Sequence, residues 1–123
     1  MLATQKLKAF VSTTNPQKAK HFYGETLGLE LVSEDGFALQ FNVNGTALRV
    51  TTVHQLVPQQ FTVLGWSVDD IHIAVAELKA NGVVFEIYGF PGQDENGIWT
   101  APGGVKVAWF KDPDGNVLSL DSQ

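Results

Sequence analysis

The sequence contains no cysteine, which removes disulfide frameworks, thiolate metal sites and thiol nucleophiles together. Positive charge is also scarce: 8 Lys and Arg stand against 13 Asp and Glu, a formal net charge of −5. With an acid excess and no basic cluster, a nucleic-acid partner is not expected. Long apolar runs are missing as well. No stretch approaches the roughly twenty apolar residues that span a bilayer, so no membrane partner is expected. Polar residues interrupt the N-terminal MLATQKLKAF, which does not read as a signal peptide, and the expectation is a cytoplasmic protein. His21, His54 and His72 share no predicted strand face and no HExxH-type spacing, so they read as surface or boundary residues. No nucleophile paired with a base can be read from the chain, and no catalytic residue is named.

What is present is an ordinary globular composition, 123 residues with 44% hydrophobic and 17% charged, which suits one domain with one core. Residues 6–12 alternate as a strand. Asn15 then reads as an N-cap and Pro16 as the first helical position, where its missing N–H costs nothing. Ala19, Phe22, Tyr23 and Leu27 recur at helical spacing, and Gly28 stops the helix. Strands are predicted at 29–32, 37–43 and 46–53. The turns between them carry Asp35-Gly36 and Asn44-Gly45, both hairpin signals. After a polar connector at 54–60 the order repeats. A strand at 61–68 leads to a helix capped by Asp69 or Asp70, with Ile71, Ala74, Val75 and Leu78 as its buried stripe and Gly82 as its stop. Further strands are predicted at 83–88, 98–101, 105–111 and 117–120, the last two joined by Asp112-Pro113-Asp114-Gly115.

The chain therefore holds two units of the same element order, offset by about 54 or 55 residues, with similarity in order and caps rather than in residue identity. The expected fold is α+β. Two βαβββ modules, 1–53 and 61–123, pair within one domain of residues 1–123 to make a concave, cleft-bearing mixed sheet. Each helix covers one sheet face and leaves the other open to the cleft.

Strand parity then sorts the side chains. Leu7, Ala9 and Val11 share one face, as do Leu48 and Val50, both suited to packing on the helix. Lys8 and Arg49 fall on the opposite side with Gln40 and Asn42. Two neighbouring cations in a half-buried cleft require an anionic partner. One reading is a ligand carboxylate or phosphate, held by Arg49 as a fork and by Lys8 as a point charge. The other is an internal salt bridge, for example to Asp121, or a solvated strand edge. Parity with Leu64 and Val68 assigns Trp66 to the helix-packed core. Trp99, beside the glycine-rich loop 89–97, either lines the cleft and stacks on a planar ligand or packs in the core. Either Trp109 or Phe110 faces inward, and parity alone does not choose. The loop 89–97 reads as a lid or as a hairpin end, and its Asp94 and Glu95 as solvated.

Three stretches resemble a known family. NPQKAKHFYGETLGLEL resembles the first helix and strand of the glyoxalase I/bleomycin-resistance/extradiol-dioxygenase superfamily. VDDIHIAVAELKANGV resembles the start of its second module, and VKVAWFKDPDGNVLSL its closing hairpin. The resemblance implies the paired-module (vicinal oxygen chelate) fold and, commonly, a homodimer. Metalloenzymes of that family place four ligands on inward-facing strand positions. Aligned through FY, VDD and DPDG, three of these fall on Lys8, Val63 and Ser119, and the fourth, in TALRV, on Arg49. None matches the family's pattern. Lysine and arginine are cations with no lone pair to give, valine has no donor atom, and a neutral hydroxyl replaces a carboxylate poorly. Each cation about 5 Å from a divalent ion costs roughly 6–7 kcal/mol at an effective dielectric of about 20.

The expectation is thus a protein without metal or cofactor that binds a small anionic or planar molecule. Its candidate binding residues are Lys8, Arg49, Gln40, Asn42, Trp99 and Ser119. Two other functions stay open, sequestration of a bleomycin-type antibiotic and a glyoxalase-like lyase, isomerase or dioxygenase activity.

Overall fold

Asn15 and Pro16 open the first helix as their residue types require: the Asn15 carboxamide oxygen accepts the Lys18 N–H at 3.1 Å, and Pro16 takes the first helical position. The computed structural model describes all 123 residues, Met1–Gln123, and their contacts divide into two units, Met1–Val57 and Pro58–Gln123. Each unit carries its own four-stranded mixed sheet and one α-helix, an α+β architecture.

In the first unit β1 is Lys8–Thr13, α1 Pro16–His21, β2 Glu30–Glu34, β3 Ala38–Val43 and β4 Thr46–Thr52. The strand order is β1-β4-β3-β2, with β1 parallel to β4 and the other pairs antiparallel. The predicted helix does not run regularly to Leu27. It widens after His21 into a π turn, Phe22–Thr26, in which the Leu27 N–H reaches back five residues to the Phe22 carbonyl at 2.9 Å. The Tyr23 ring stays fully buried there, 6.1 Å from that of Phe41 on β3. With Val11, Ala19, Leu39, Leu48 and Val50 these rings form the core between α1 and the sheet. Leu7 departs from expectation. The β1–β4 ladder begins at Lys8 opposite Ala47, so Leu7 precedes the sheet and is 79% exposed. The β3–β4 turn has φ of 49° at Asn44 and 90° at Gly45, the paired positive values that an Asn-Gly hairpin supplies.

In the second unit β5 is Thr62–Ser67, α2 Ile71–Ala80, β6 Trp99–Thr100, β7 Lys106–Lys111 and β8 Val117–Ser122, in the order β5-β8-β7-β6. Of the two candidate caps Asp70 is the one used; its carboxylate accepts the N–H groups of His72 and Ile73 at 2.9 and 3.2 Å. The helix buries Ile71 and Val75 and packs on β7 and β8. Phe110 meets Phe85 there, their centroids 5.4 Å apart. The predicted strand at 83–88 does not form. Only a single bridge, Phe85 to Phe110, joins it to β7. A side chain takes the backbone groups that a ladder would use: the Gln93 amide bonds the Glu86 carbonyl and the Tyr88 N–H.

Candidate functional site: an open face on each sheet

Because α1 covers one face of the first sheet, alternate residues turn to the other. Register arranges them in rows across the strands. Phe10, Arg49 and Gln40 form one row, and Lys8, Ala47 and Asn42 the next. Lys8 and Arg49 are thus one row apart on adjacent strands, as the alternation predicted. Phe10, 59% exposed, stands beside Arg49. A hollow of about 280 Å³ opens on this face, lined among others by Lys6, Lys8, Val32, Gln40 and Asn42.

Neither Lys8 nor Arg49 enters an ion pair; the salt bridges are Lys20–Glu34 and Lys111–Glu86. Asp121, the partner considered from sequence, instead accepts the Ser67 hydroxyl at 2.7 Å. Arg49 acts at longer range on Asp35. The Phe37 and Ala38 N–H groups, bonded at 2.8 and 3.0 Å, hold the Asp35 carboxyl below its ordinary 3.8, and the Arg49 charge adds to them. Asn42 is already partly used. Its amide donates to Glu30 at 3.0 Å, and its oxygen accepts the Gly45 N–H at 3.0 Å.

The second sheet repeats the rows with other residues. Gly65, Ser119 and Trp109 stand where Phe10, Arg49 and Gln40 stand in the first, followed by the row Ser67, Asp121, Val107 and Trp99. Trp109 therefore lies on the open face, and Phe110, 1% exposed, lies in the core. Trp99 is on the open face too. Its ring centroid is 6.1 Å from that of Trp109, and Tyr88 and Phe90 lie 5.5 and 5.9 Å from the same indole. The Trp99 indole N–H donates to the Pro91 carbonyl at 3.0 Å. Desolvation lifts the Tyr88 phenol above its ordinary 10.0, and the Glu86 charge lifts it further, so it is neutral at physiological pH. An apolar hollow of about 570 Å³ borders these rings, lined by Phe90, Pro91, Trp99, Thr100 and Pro102. Ser119 is nearly covered, its hydroxyl set against Gly65. The acidic pair of the loop is not simply solvated, since Asp94 accepts the N–H groups of Asn96 and Ile98, each at 2.9 Å.

Sequence alone leaves Trp99 between cleft and core and Trp109 undecided against Phe110, and it does not single out Tyr88 and Phe90 as companions. Aromatic residues in an irregular loop carry no period, and Tyr88 and Phe90 meet Trp109 through ring contacts that no strand register announces.

The profile of the Glyoxalase/Bleomycin resistance protein/Dioxygenase superfamily matches residues 7–120. The chain belongs to that superfamily. A search of curated proteins finds no match. Solved structures resemble it along most or all of their length. An antibiotic binding protein, TnmS3 from Streptomyces sp. CB03234, is 26% identical with a TM-score of 0.74, covering 99% of this chain and 98% of the other. A superfamily member from Sphaerobacter thermophilus DSM 20745 is 24% identical over 100% of both chains, TM-score 0.74. A lactoylglutathione lyase from Agrobacterium tumefaciens is 15% identical, TM-score 0.74, covering 97% and 93%. These last two likenesses establish the fold alone.

The metal of the superfamily's metalloenzymes does not fit the residues present. Lys8 and Arg49 offer cations, Val63 sits at an irregularity of β5 with no donor atom, and Ser119 offers one largely covered hydroxyl. No three His, Asp or Glu side chains gather anywhere in the chain.

Proposed function

We propose that this superfamily member is a metal-independent binding protein for a small planar or anionic molecule. The observation that carries this reading is the wall formed by Tyr88, Phe90, Trp99 and Trp109 on the open face of the second sheet. Rings tilted or edge-on to one another at such separations leave indole surface free to stack on a flat ligand, and no core packing requires aromatic side chains on that face. Ser119 lies in the same row as Trp109 and supplies a hydroxyl. On the first sheet, Lys8, Arg49 and Gln40, with the remaining N–H of Asn42, form the surface proposed to receive an anionic group. An unpaired guanidinium beside amide donors favours carboxylate or sulfonate.

A titration followed by tryptophan fluorescence and calorimetry tests this, using naphthalene-2-sulfonate and naphthalene-2-carboxylate as planar anionic probes. Trp109→Ala is expected to weaken binding roughly 5- to 150-fold, since ring stacking on an aromatic side chain contributes about 1–3 kcal/mol. On the first sheet, tested by itself, Arg49→Ala is expected to weaken binding of a small carboxylate such as benzoate while leaving the affinity for neutral naphthalene unchanged. Unchanged affinities in both variants would overturn the proposal.

A second reading, antibiotic binding, is supported by the likeness to TnmS3. The net charge of −5 further favours a cationic drug. Calorimetry with bleomycin distinguishes it, because heat at micromolar drug with none from the naphthalene probes favours sequestration. Lyase, isomerase or dioxygenase chemistry that uses a metal is disfavoured by the donor set described above. A homodimer in the cytoplasm completes the proposal, and light scattering that returns the monomer mass at micromolar concentration would remove its dimer component.

A further inference from the structure

Gln93 spends its whole side chain on backbone. Its Oε1 accepts the N–H groups of Tyr88 and Gly89 at 2.8 and 3.1 Å, and its Nε2 donates to the carbonyls of Glu86 and Gly97, both at 3.1 Å. A primary amide has two donor hydrogens and two acceptor lone pairs, so nothing is left over. The partners also fix its orientation, because a flipped amide would face donors with donors and carbonyls with an oxygen. The main chain of Gln93 closes the same loop, donating to the Phe90 carbonyl at 3.0 Å. Gly92, at φ 90°, lets the two arms approach, and the Thr100 N–H meets its carbonyl at 3.2 Å. One arm carries Tyr88 and Phe90, and the other carries Trp99. Trp99 also has the β6–β7 pair, but the arm of Tyr88 and Phe90 has only the single Phe85 bridge to β7, so the Gln93 side chain supplies most of what fixes it.

We infer that Gln93 is a positioning residue: it clamps both arms of the 86–97 loop so that Tyr88, Phe90 and Trp99 stand against Trp109 before any ligand arrives. The inference rests on the binding function proposed above and deepens it, since a preformed wall favours rigid planar aromatic ligands over flexible ones. Ordering the rings in advance removes the entropic cost of immobilising them on binding. Only glutamine meets the geometry. Asparagine is one methylene short. Glutamate keeps the shape but has no donors, and turns a carboxylate toward the Glu86 and Gly97 carbonyls.

The test uses Gln93→Glu and Gln93→Leu in the full chain, with two readouts. One is the exciton couplet in circular dichroism from the Trp99–Trp109 pair, and the other is affinity for naphthalene-2-sulfonate. At neutral pH both variants are expected to lose most of the couplet and to bind the probe about tenfold more weakly. Acidification below the carboxylate range, about pH 4, protonates the introduced carboxylate of Gln93→Glu and returns one donor. Part of the couplet then recovers in Gln93→Glu but not in Gln93→Leu, a distinction that general destabilisation would not produce. A full couplet with affinity within twofold of the parent in both variants overturns the inference, and so does a lost couplet with unchanged affinity. If neither variant folds, amide exchange in the unaltered protein decides. Protection of the Tyr88 and Gly89 N–H groups, which have Gln93 as acceptor, supports the clamp, and exchange at unprotected-loop rates overturns it. Failure of the underlying binding reading is seen separately, as probe affinity unchanged in Trp109→Ala.

Discussion

Gly65 and Ser119 face each other across the β5–β8 pair so closely that a Cβ at position 65 would lie 2.8 Å from the Ser119 hydroxyl oxygen and 3.4 Å from its carbonyl oxygen. Real Cβ atoms do not approach oxygen so nearly, so Gly65→Ala must displace the hydroxyl. The expected cost is about 1–2 kcal/mol in urea unfolding, the range for mild overpacking. Ser119→Ala removes the oxygen that is struck, so the double variant should recover part of the loss. A double-mutant cycle checks this, and strictly additive single effects would refute the contact.

The Asp112 carboxylate, 6% exposed, organises the turn before β8. It accepts the N–H groups of Asp114 and Asn116 at 3.0 and 2.9 Å and the Asn116 side-chain amide at 2.8 Å. Asp112→Ala strands these donors in a buried turn. The expected loss is about 3 kcal/mol, because unsatisfied buried donors forfeit their desolvation energy. Chemical denaturation measures it, and a loss below about 0.5 kcal/mol would contradict the assigned role.

Acid should act through Asp35. Its folded-state value lies below the ordinary 3.8, held there by the Phe37 and Ala38 N–H groups and aided by Arg49. A depressed carboxyl contributes stability that is complete above its unfolded value and lost as pH falls through the folded one. Stability should therefore decline below pH 3.8 more steeply in the parent than in Asp35→Asn, whose neutral amide does not titrate. Side-chain NMR titration gives the folded value directly, and one at or above 3.8 would refute the assignment.

Divalent metal should leave the fold unmoved. A ligand present at a hundred times its dissociation constant stabilises by about 2.7 kcal/mol, which raises the thermal midpoint by several degrees. With Lys8 and Arg49 on the open face, zinc, nickel or iron(II) at millimolar concentration is expected to produce no such rise. A reproducible upward shift that chelator reverses would defeat this prediction.

Much of this was legible in the residues. Asn15-Pro16 and Asp70 announce the helices, Asn44-Gly45 announces a hairpin, and simple alternation sends Lys8, Arg49 and Gln40 to the face away from α1. These signals are local, and local chemistry suffices to read them. The segment 83–88 misled because Val83 and Phe85 alternate with exposed residues as a strand would, while the decisive interaction comes from Gln93, a residue of the following loop. Trp109 and Phe110 were undecided for a related reason. Both neighbours are large and apolar, and only the register that sets Phe110 opposite Leu118 and Trp109 opposite Ser119 separates them. The π turn after His21 leaves no trace in spacing, since the buried Ala19 and Tyr23 stand four residues apart, as in a regular helix.

The rows that recur in both sheets have a further consequence. Arg49 and Ser119 occupy one address in a doubled scaffold, as do Gln40 and Trp109, yet one copy presents charge and amides and the other presents rings. Each address pairs only within its own sheet, so a change at one need not disturb its twin. A frame repeated in this way carries two separately adjustable palettes, and the chemistry of either can change without redrawing the frame.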